Sequence, residues 1–293
     1  MASSPRAGPA SWSIMLSIVI PCRNGSRTLA SQLDAILAQA TDLPIEIIVA
    51  DNGSTDTTAE LVQTFHAHDD RVRLVSAHGT IGINHGRNVG IRAANGQYIL
   101  LCDADDLVQP GWLAGHAQAF TQGALCVGGG VEFTLDDGTV IDHIPGVVTV
   151  NWDVPSPIGA NCGFRREVFD GIGGFDESFR GGGDETDFFW RAHAAGFPTT
   201  AVPDALVSYA LRSKLSDVAR QFFGYGLGTV ALYVAHRTWG MPRSRWWQAP
   251  VVIAIAAAQL VAPDPRRRRK AVERIAVRAG RLVGSVRHRT MYL

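Results

Sequence analysis

The sequence predicts an α/β fold built on a mostly parallel sheet. Three observations carry this. Four short apolar, β-branched runs recur within the first 102 residues, helical spacing separates them, and the connections are short. The chain has 293 residues, 46% of them hydrophobic, so it can bury a sizeable core and is not disordered by composition. One large domain or two ordinary ones both fit that length.

Residues 1–14 are small and polar, lack the apolar centre of a signal peptide and are expected to be disordered. "MLSIVIP" at 15–21 is continuously apolar, as expected of a strand buried on both faces. Within 28–40, Leu29, Leu33, Ile36 and Leu37 fall at helical spacing. "IEIIVA" at 45–50 reads as a second buried strand, and Thr57 with Glu60 suggests a capping box opening a helix to about residue 66. "RVRLVS" at 71–76 gives a third strand, 87–94 a short helix and "QYILLC" at 97–102 a fourth strand. Residues 123–180 combine many glycines, β-like pieces and turn signals, which predicts an antiparallel extension packed on the first sheet. Then come a helix at 184–195, a short strand at 198–203 and a long helix at 213–237. An apolar helix at about 248–262 and a basic one at about 267–286 flank a "PDP" break.

Net charge is zero but unevenly spread. Residues 264–293 hold ten Lys/Arg against two Asp/Glu, a net +8, and the other residues hold 17 against 25, a net −8. A basic tail on an acidic body suits an anionic partner (nucleic acid, a membrane surface or an acidic protein) or a solvated helix face. Four cysteines, without any CxxC, read as free thiols in a reducing compartment. The longest apolar run, "APVVIAIAAAQLVAP", is too short to span a membrane.

The carboxyl end of the fourth strand runs into Asp103-Ala104-Asp105-Asp106. Ligands of parallel sheets bind beyond that end. Closely spaced carboxylates repel unless a cation neutralises them, and Mg²⁺ typically takes one or two carboxylates plus substrate phosphates. The competing reading is a helix-start cluster. "ADNGSTDTT" at 50–58 puts Asp51 at a strand end, as a base or ribose acceptor or simply in a turn where Ser54 and Asp56 cap a helix. "GTIGINHGRNVG" at 79–90 sets glycines beside Arg87, fit for a phosphate or for a flexible loop. In "RGGGDETDFFWR" at 180–191, a carboxylate on a glycine-rich loop could deprotonate an acceptor hydroxyl, or merely complement a helix start. No GxxxxGK[ST], GxSxG or HExxH motif occurs.

The order of these pieces is more telling than any one of them. "SIVIPCRNG", "VADNGSTD", "GRNVGIRAANGQYILLCDADD", "GANCGFRREVFDGIGGFDESF" and "GGGDETDFFWRAHAAGF" follow one another as in the family 2 glycosyltransferases of GT-A fold, which the chain resembles over about 15–240. The resemblance implies a Rossmann-like nucleotide half at about 15–108, an antiparallel acceptor half at about 109–240, and C-terminal helices at 241–293. It implies that Pro21, Arg23 and Asp51 line the nucleotide pocket, with Asp51 at the base. Arg87 would sit near the nucleotide, Asp103 on the ribose and Asp105 on Mg²⁺ or Mn²⁺. Asn161, Asp187 and Arg191 would shape the acceptor side, and Arg212 is a candidate phosphate contact.

Two departures stand out. The family's acidic pair is commonly Glu-Asp, whereas this chain has Asp184-Glu185, so either could be the base, with Glu185 in the usual base position. Where many relatives carry a metal-binding His, this chain offers Tyr209. The implied reaction is direct inverting transfer from a nucleoside-diphosphate sugar to a saccharide or lipid-linked acceptor, in surface polysaccharide or glycolipid synthesis. A lipid-linked acceptor would give the basic tail an anionic leaflet as partner, on a cytoplasmic protein peripheral to the inner face of the plasma membrane, with no nucleic acid involved. The rival readings are a non-catalytic sugar-nucleotide-binding protein and a nucleotidyltransferase. Donor sugar, base and acceptor identity are not legible in these motifs.

Overall fold

The computed structural model describes residues 13–135 and 137–293, so the expected disorder of the N-terminus lies, but for residues 13 and 14, outside the described residues. The first half alternates as β1 (Ser13–Cys22), α1 (Leu29–Leu37), β2 (Ile45–Asp51), α2 (Thr58–His68), β3 (Val72–Ser76), α3 (Ile83–Ala93) and β4 (Gly96–Cys102). β1 runs parallel to β2 and β4, and β2 parallel to β3. Residues 13 and 14 extend β1 rather than belonging to a disordered terminus. Period-two alternation sorts the strand residues between two faces. Leu16, Ile18 and Ile20 point into one core with Leu29, Leu33 and Val62, while Val19, Ile48 and Leu101 point into the other with Ile91.

The chain continues through β5 (Leu107–Val108), α4 (Trp112–Thr121), β6 (Cys126–Thr134), β7 (Val140–Ile144), β8 (Val147–Thr149), β9 (Pro155–Pro157) and β10 (Asn161–Arg165). Then follow α5 (Arg166–Ile172), α6 (Asp184–Ala194), β11 (Thr199–Ala210), α7 (Leu215–His236), α8 (Ala249–Leu260) and α9 (Pro265–Arg287). The predicted extension does not pack on the first sheet but continues it edge to edge. β10 pairs antiparallel with both β4 and β6, giving the order β3-β2-β1-β4-β10-β6-β11-β5, with β7 also on β6. The last strand is far longer than the predicted 198–203, because β11 pairs parallel with β6 at 199–202 and again, after an irregularity, at 207–210.

Two local expectations change. Thr57 makes no side-chain cap on α2. Asp56 holds that turn instead, accepting from the Thr58 N–H (3.1 Å) and from the Ser26 N–H (3.1 Å). Of the glycines of 79–90, Gly86 and Gly90 are not in a loop, since α3 already starts at Ile83, whereas Gly79 and Gly82 lie in the loop before it. A Cβ on Gly90 would lie 2.5 Å from Val19 Cγ1 and one on Gly86 3.3 Å from Pro21 Cβ, so these glycines let α3 press onto the sheet.

The C-terminal helices are integral to the fold rather than a free tail. α9 lies along α7 with glycines at the crossing: a Cβ on Gly226 would sit 2.2 Å from the Val277 carbonyl, and one on Gly280 2.1 Å from the Phe223 carbonyl. On its other face α7 touches the loop before α6, where a Cβ on Gly224 would sit 2.4 Å from the Gly181 carbonyl and one on Gly228 2.0 Å from that of Gly182. Among the described residues no helix is long and apolar enough to cross a membrane.

Candidate active site

β1, β2 and β4 end together at Cys22, Asp51 and Cys102, and the carboxylate loop leaves from the last. Gln32, fully buried on α1, fixes both ends of that loop. It donates to the Asp103 carbonyl (3.1 Å) and accepts from the Val108 N–H (3.0 Å). Asp103, Asp105 and Asp106 each direct an oxygen to one point, all within 4.8 Å of one another. Burial raises the Asp103 carboxyl, Arg87 pulls it back and Asp105 adds to the rise, leaving it at about 6. Burial first, and then the Asp103 and Asp105 charges, lift Asp106 well above the carboxylate range. Its Oδ1 accepts from the Ala210 N–H (3.3 Å), while its buried Oδ2 has no partner among the described residues. An all-oxygen set with an unpartnered buried carboxylate oxygen fits a hard divalent cation.

The second carboxylate pair opens α6. Gly181, Gly182 and Gly183 all have positive φ (102°, 134° and 79°), a left-handed path that side chains resist and that delivers Asp184 and Glu185 to the helix start. Asp184 forms a buried ion pair with Arg87 of α3. Glu185 is half-buried beside it, and burial first and the Asp184 charge second push its carboxyl up to about 8. Gly159 faces both groups: a Cβ there would be 2.9 Å from Arg87 Nη2 and 3.4 Å from Glu185 Cδ.

Two adjoining cavities meet at Ile83, Asp103 and Arg212. Pro21, Arg23, Asn52 and Asp105 line one, and Arg87, Asp184 and Glu185 line the other. The carboxylate loop and the acidic pair thus share one continuous site. Asp51 is buried at its edge: it accepts from the Ser54 N–H (3.0 Å) and meets His78 Nε2 (3.1 Å), while Asn52 reaches the cavity. Asn52 also pins the 77–82 loop, donating to the Ala77 and Thr80 carbonyls and accepting from the Gly82 N–H.

Three residues expected on the acceptor side lie elsewhere. Asn161 is fully buried, accepting from Trp112 Nε1 (2.8 Å), facing His116 Nε2 (2.9 Å) and donating to the Gly130 and Ala205 carbonyls. It stitches β10 to β6, β11 and α4, and leaves no group for a ligand. Asp187 is buried between Arg191 (2.8 Å) and His236 (2.9 Å), tying α6 to α7. Arg191 donates onward to the carbonyls of Ile172, the last residue of α5, and of Gly174 just after it. On α6, Asp187 and Arg191 follow Asp184 by three and seven positions, and their hydrogen bonds run to α7 and to the chain around the end of α5 rather than to the cavity.

Tyr209 lies on the cavity wall. Gln221 donates to its hydroxyl and to that of Tyr225, both at 2.9 Å. Burial raises the Tyr209 phenol, so it stays a neutral hydroxyl and offers no phenolate to a metal where many relatives carry His. Asp106 belongs to the carboxylate cluster of the sequence but is given no part there in holding the metal, and Tyr225 is not singled out, since it lies on a helix face whose partner only the fold supplies. All four cysteines are free and buried, with the Cys22 and Cys126 thiols pushed by burial up to about 12, which removes thiolate chemistry at neutral pH.

The family model for Glycosyl transferase family 2 matches residues 17–173, from β1 to the end of α5. The chain belongs to glycosyl transferase family 2. This glycosyltransferase is 27% identical over 274 residues to the succinoglycan biosynthesis protein ExoA of Rhizobium meliloti, covering 84% of this chain and 77% of that one. It is 38% identical over 95 residues to the glycosyltransferase GlyG of Streptococcus pneumoniae, a match that spans 32% of this chain and 31% of that relative. In fold it resembles the mannosyltransferase PcManGT of Pyrobaculum calidifontis, solved with GDP-Man and Mn²⁺, at TM-score 0.64 and 18% identity, covering 94% of this chain and 90% of that one. The transferase is therefore a GT-A glycosyltransferase, with the carboxylate loop and the acidic pair in the region where its two halves meet.

Proposed function

We propose that this glycosyltransferase moves a sugar from a nucleoside-diphosphate donor to an acceptor hydroxyl by direct inverting displacement, with Glu185 as the general base. One observation carries the assignment: Asp184 is committed to Arg87, which leaves Glu185 as the member of the pair free to take a proton. A carboxyl raised to about 8 is poised for that task near neutral pH. With one base on the acceptor side the chain needs no nucleophile of its own.

Asp103, Asp105 and Asp106 would hold Mn²⁺ or Mg²⁺, the third carboxylate taking the part that His plays in many relatives. A cation held there would neutralise charge on the departing diphosphate. Pro21, Arg23 and Asp51 would receive the nucleoside, and Arg212, where the cavities meet, the diphosphate. The GDP-Man and Mn²⁺ bound by PcManGT support a nucleotide-sugar donor and a divalent ion. The part ExoA plays in succinoglycan biosynthesis supports a saccharide product. Thermal shift with UDP, GDP and dTDP, each with Mn²⁺, Mg²⁺ or EDTA, tests the donor site. A metal-dependent shift with one nucleotide is expected, and no shift with any of them would overturn it.

The C-terminal helices support docking to an anionic membrane surface. α8 is apolar on every side, yet Ala256 is its sole buried residue, and Val251 (60%), Ile253 (50%) and Ile255 (46%) are exposed. The adjoining start of α9 exposes Arg266, Arg267, Arg268 and Lys270. An apolar helix beside a basic cluster matches a headgroup interface, each basic residue contributing about 1 kcal/mol near an anionic leaflet.

A further inference from the structure

A second cavity opens on the opposite side of Glu185 from Arg87 and the carboxylate loop. It encloses about 330 Å³, within the range of about 300–1,000 Å³ typical of small-molecule sites. Its walls come from elements brought together only by the fold: Phe133 of β6, Val148 of β8, Pro157 of β9, and Phe222 and Tyr225 of α7. Among the described residues that line it there is no Arg, Lys or His, and Glu185 is its sole ionisable carboxylate. The cavity on the other side of Glu185 differs sharply, with Arg87, Arg212 and Arg220 and the carboxylates of Asp103, Asp184 and Asp217 in its wall. Glu185, Ile158, Tyr209, Gln221 and Tyr225 belong to both walls. The Tyr209–Gln221–Tyr225 hydrogen bonds therefore form a neutral fence between a charged compartment and an apolar one, with the Glu185 carboxylate at the gap.

We infer that the apolar compartment receives the acceptor as a neutral glycoside with an apolar aglycone next to the reacting hydroxyl. This rests on Glu185 as the base, and it names the substrate class that the base serves. A hydroxyl brought to Glu185 from this side carries its neighbouring group against Phe133, Phe222 and Tyr225. Sugar C–H faces and aryl or alkyl groups gain from burial there. A phosphate or carboxylate in the same place would lose its hydration with no cation to replace it and would face the Glu185 carboxylate. Anionic groups on the donor, by contrast, meet Arg212 and the cation proposed at Asp103, Asp105 and Asp106 on the far side. Polar and charged groups thus gather on one side of Glu185 and apolar ones on the other.

Calorimetric titration of the full chain with phenyl, methyl and uronic-acid glycosides tests this, using phenyl and methyl glycosides of glucose, galactose, mannose and N-acetylglucosamine and phenyl glucuronide. At least one phenyl glycoside is expected to bind ten-fold or more tightly than its methyl counterpart, with phenyl glucuronide weaker than either. F222A should reduce that preference to three-fold or less. V150R places a cation at the exposed mouth, where Val150 is 44% exposed, and should raise affinity for phenyl glucuronide at least five-fold, a gain that misfolding could not produce. Equal binding of methyl and phenyl glycosides, no binding by any phenyl glycoside, or no response to V150R would overturn the inference. Metal-dependent nucleotide binding, measured on the same protein, reports on the donor site separately, so its loss would count against the proposed reaction and not against the apolar compartment.

Discussion

Arg87 on α3 and Asp184 at the first turn of α6 form a buried ion pair that crosses between the two halves of the sheet and takes one of two adjacent carboxylates out of play. Removing one partner of such a pair leaves an uncompensated charge and costs about 3–5 kcal/mol. D184N is therefore expected to lower the melting temperature markedly, whereas E185Q leaves folding and nucleotide binding intact and lowers transfer about 10²- to 10⁴-fold. Comparing melting curves with transfer rates separates the two. Full activity in E185Q would remove Glu185 as the base.

The pH profile follows from the same carboxyl. In the folded chain Glu185 is raised by burial and by Asp184 to about 8, against 4.5 for an ordinary Glu. The base form grows as pH rises, so transfer should increase through about pH 8 and level above it. Stability runs the other way. Between the two values the folded state binds the proton that the unfolded state releases, so stability is full below about 4.5 and is lost as pH climbs through about 8. Melting temperatures from pH 5 to 9 should fall for the native chain and change less for E185Q.

Asp103, Asp105 and Asp106 make a second test. D105A should abolish the nucleotide-dependent thermal shift with Mn²⁺, and EDTA should reproduce that loss in the native chain. D106N replaces a crowded buried carboxyl with a neutral amide. Without metal it should melt at or above the native temperature, and with Mn²⁺ it should gain less than the native chain does. A native-like metal response in D106N would exclude Asp106 as a ligand.

Because α9 packs on α7, deleting 264–293 would unfold the support of the site as well as remove charge, and so cannot report on membrane contact. The double variant I253E/I255E alters exposed residues alone. It should abolish pelleting with vesicles of anionic lipid while leaving the melting temperature within a degree or two, and R266Q/R267Q/R268Q should weaken pelleting in a salt-dependent way. Unchanged pelleting in both would remove the membrane surface as partner.

The nucleotide half was legible in the sequence because its signals are local. Buried parallel strands are continuous apolar runs, and the loops at their carboxyl ends announce themselves as Asp103–Asp106 and Asp51. The acceptor half was not, since its order depends on non-local pairing: β10 inserts between β4 and β6, and β11 returns parallel to β6. The same limit misplaced Asn161, Asp187 and Arg191. Each is polar and lies within a functional motif, and only the packing of α4, α5 and α7 shows that their hydrogen bonds are spent on the fold. Asp184 and Glu185 could not be told apart from their order, because the distinction lies in Arg87, 97 positions away.

The glycines along α7 have a mechanical meaning. Where Gly224 and Gly228 meet Gly181 and Gly182, and Gly226 meets Gly280, main chain rests on main chain with no side chain between to yield. Soft contacts dissipate a displacement through rotamer changes, whereas these transmit it. α9, α7 and the Gly181–Gly183 loop therefore form one backbone-to-backbone stack, with α8 packed against α9 at its outer end and Glu185 just beyond its inner end.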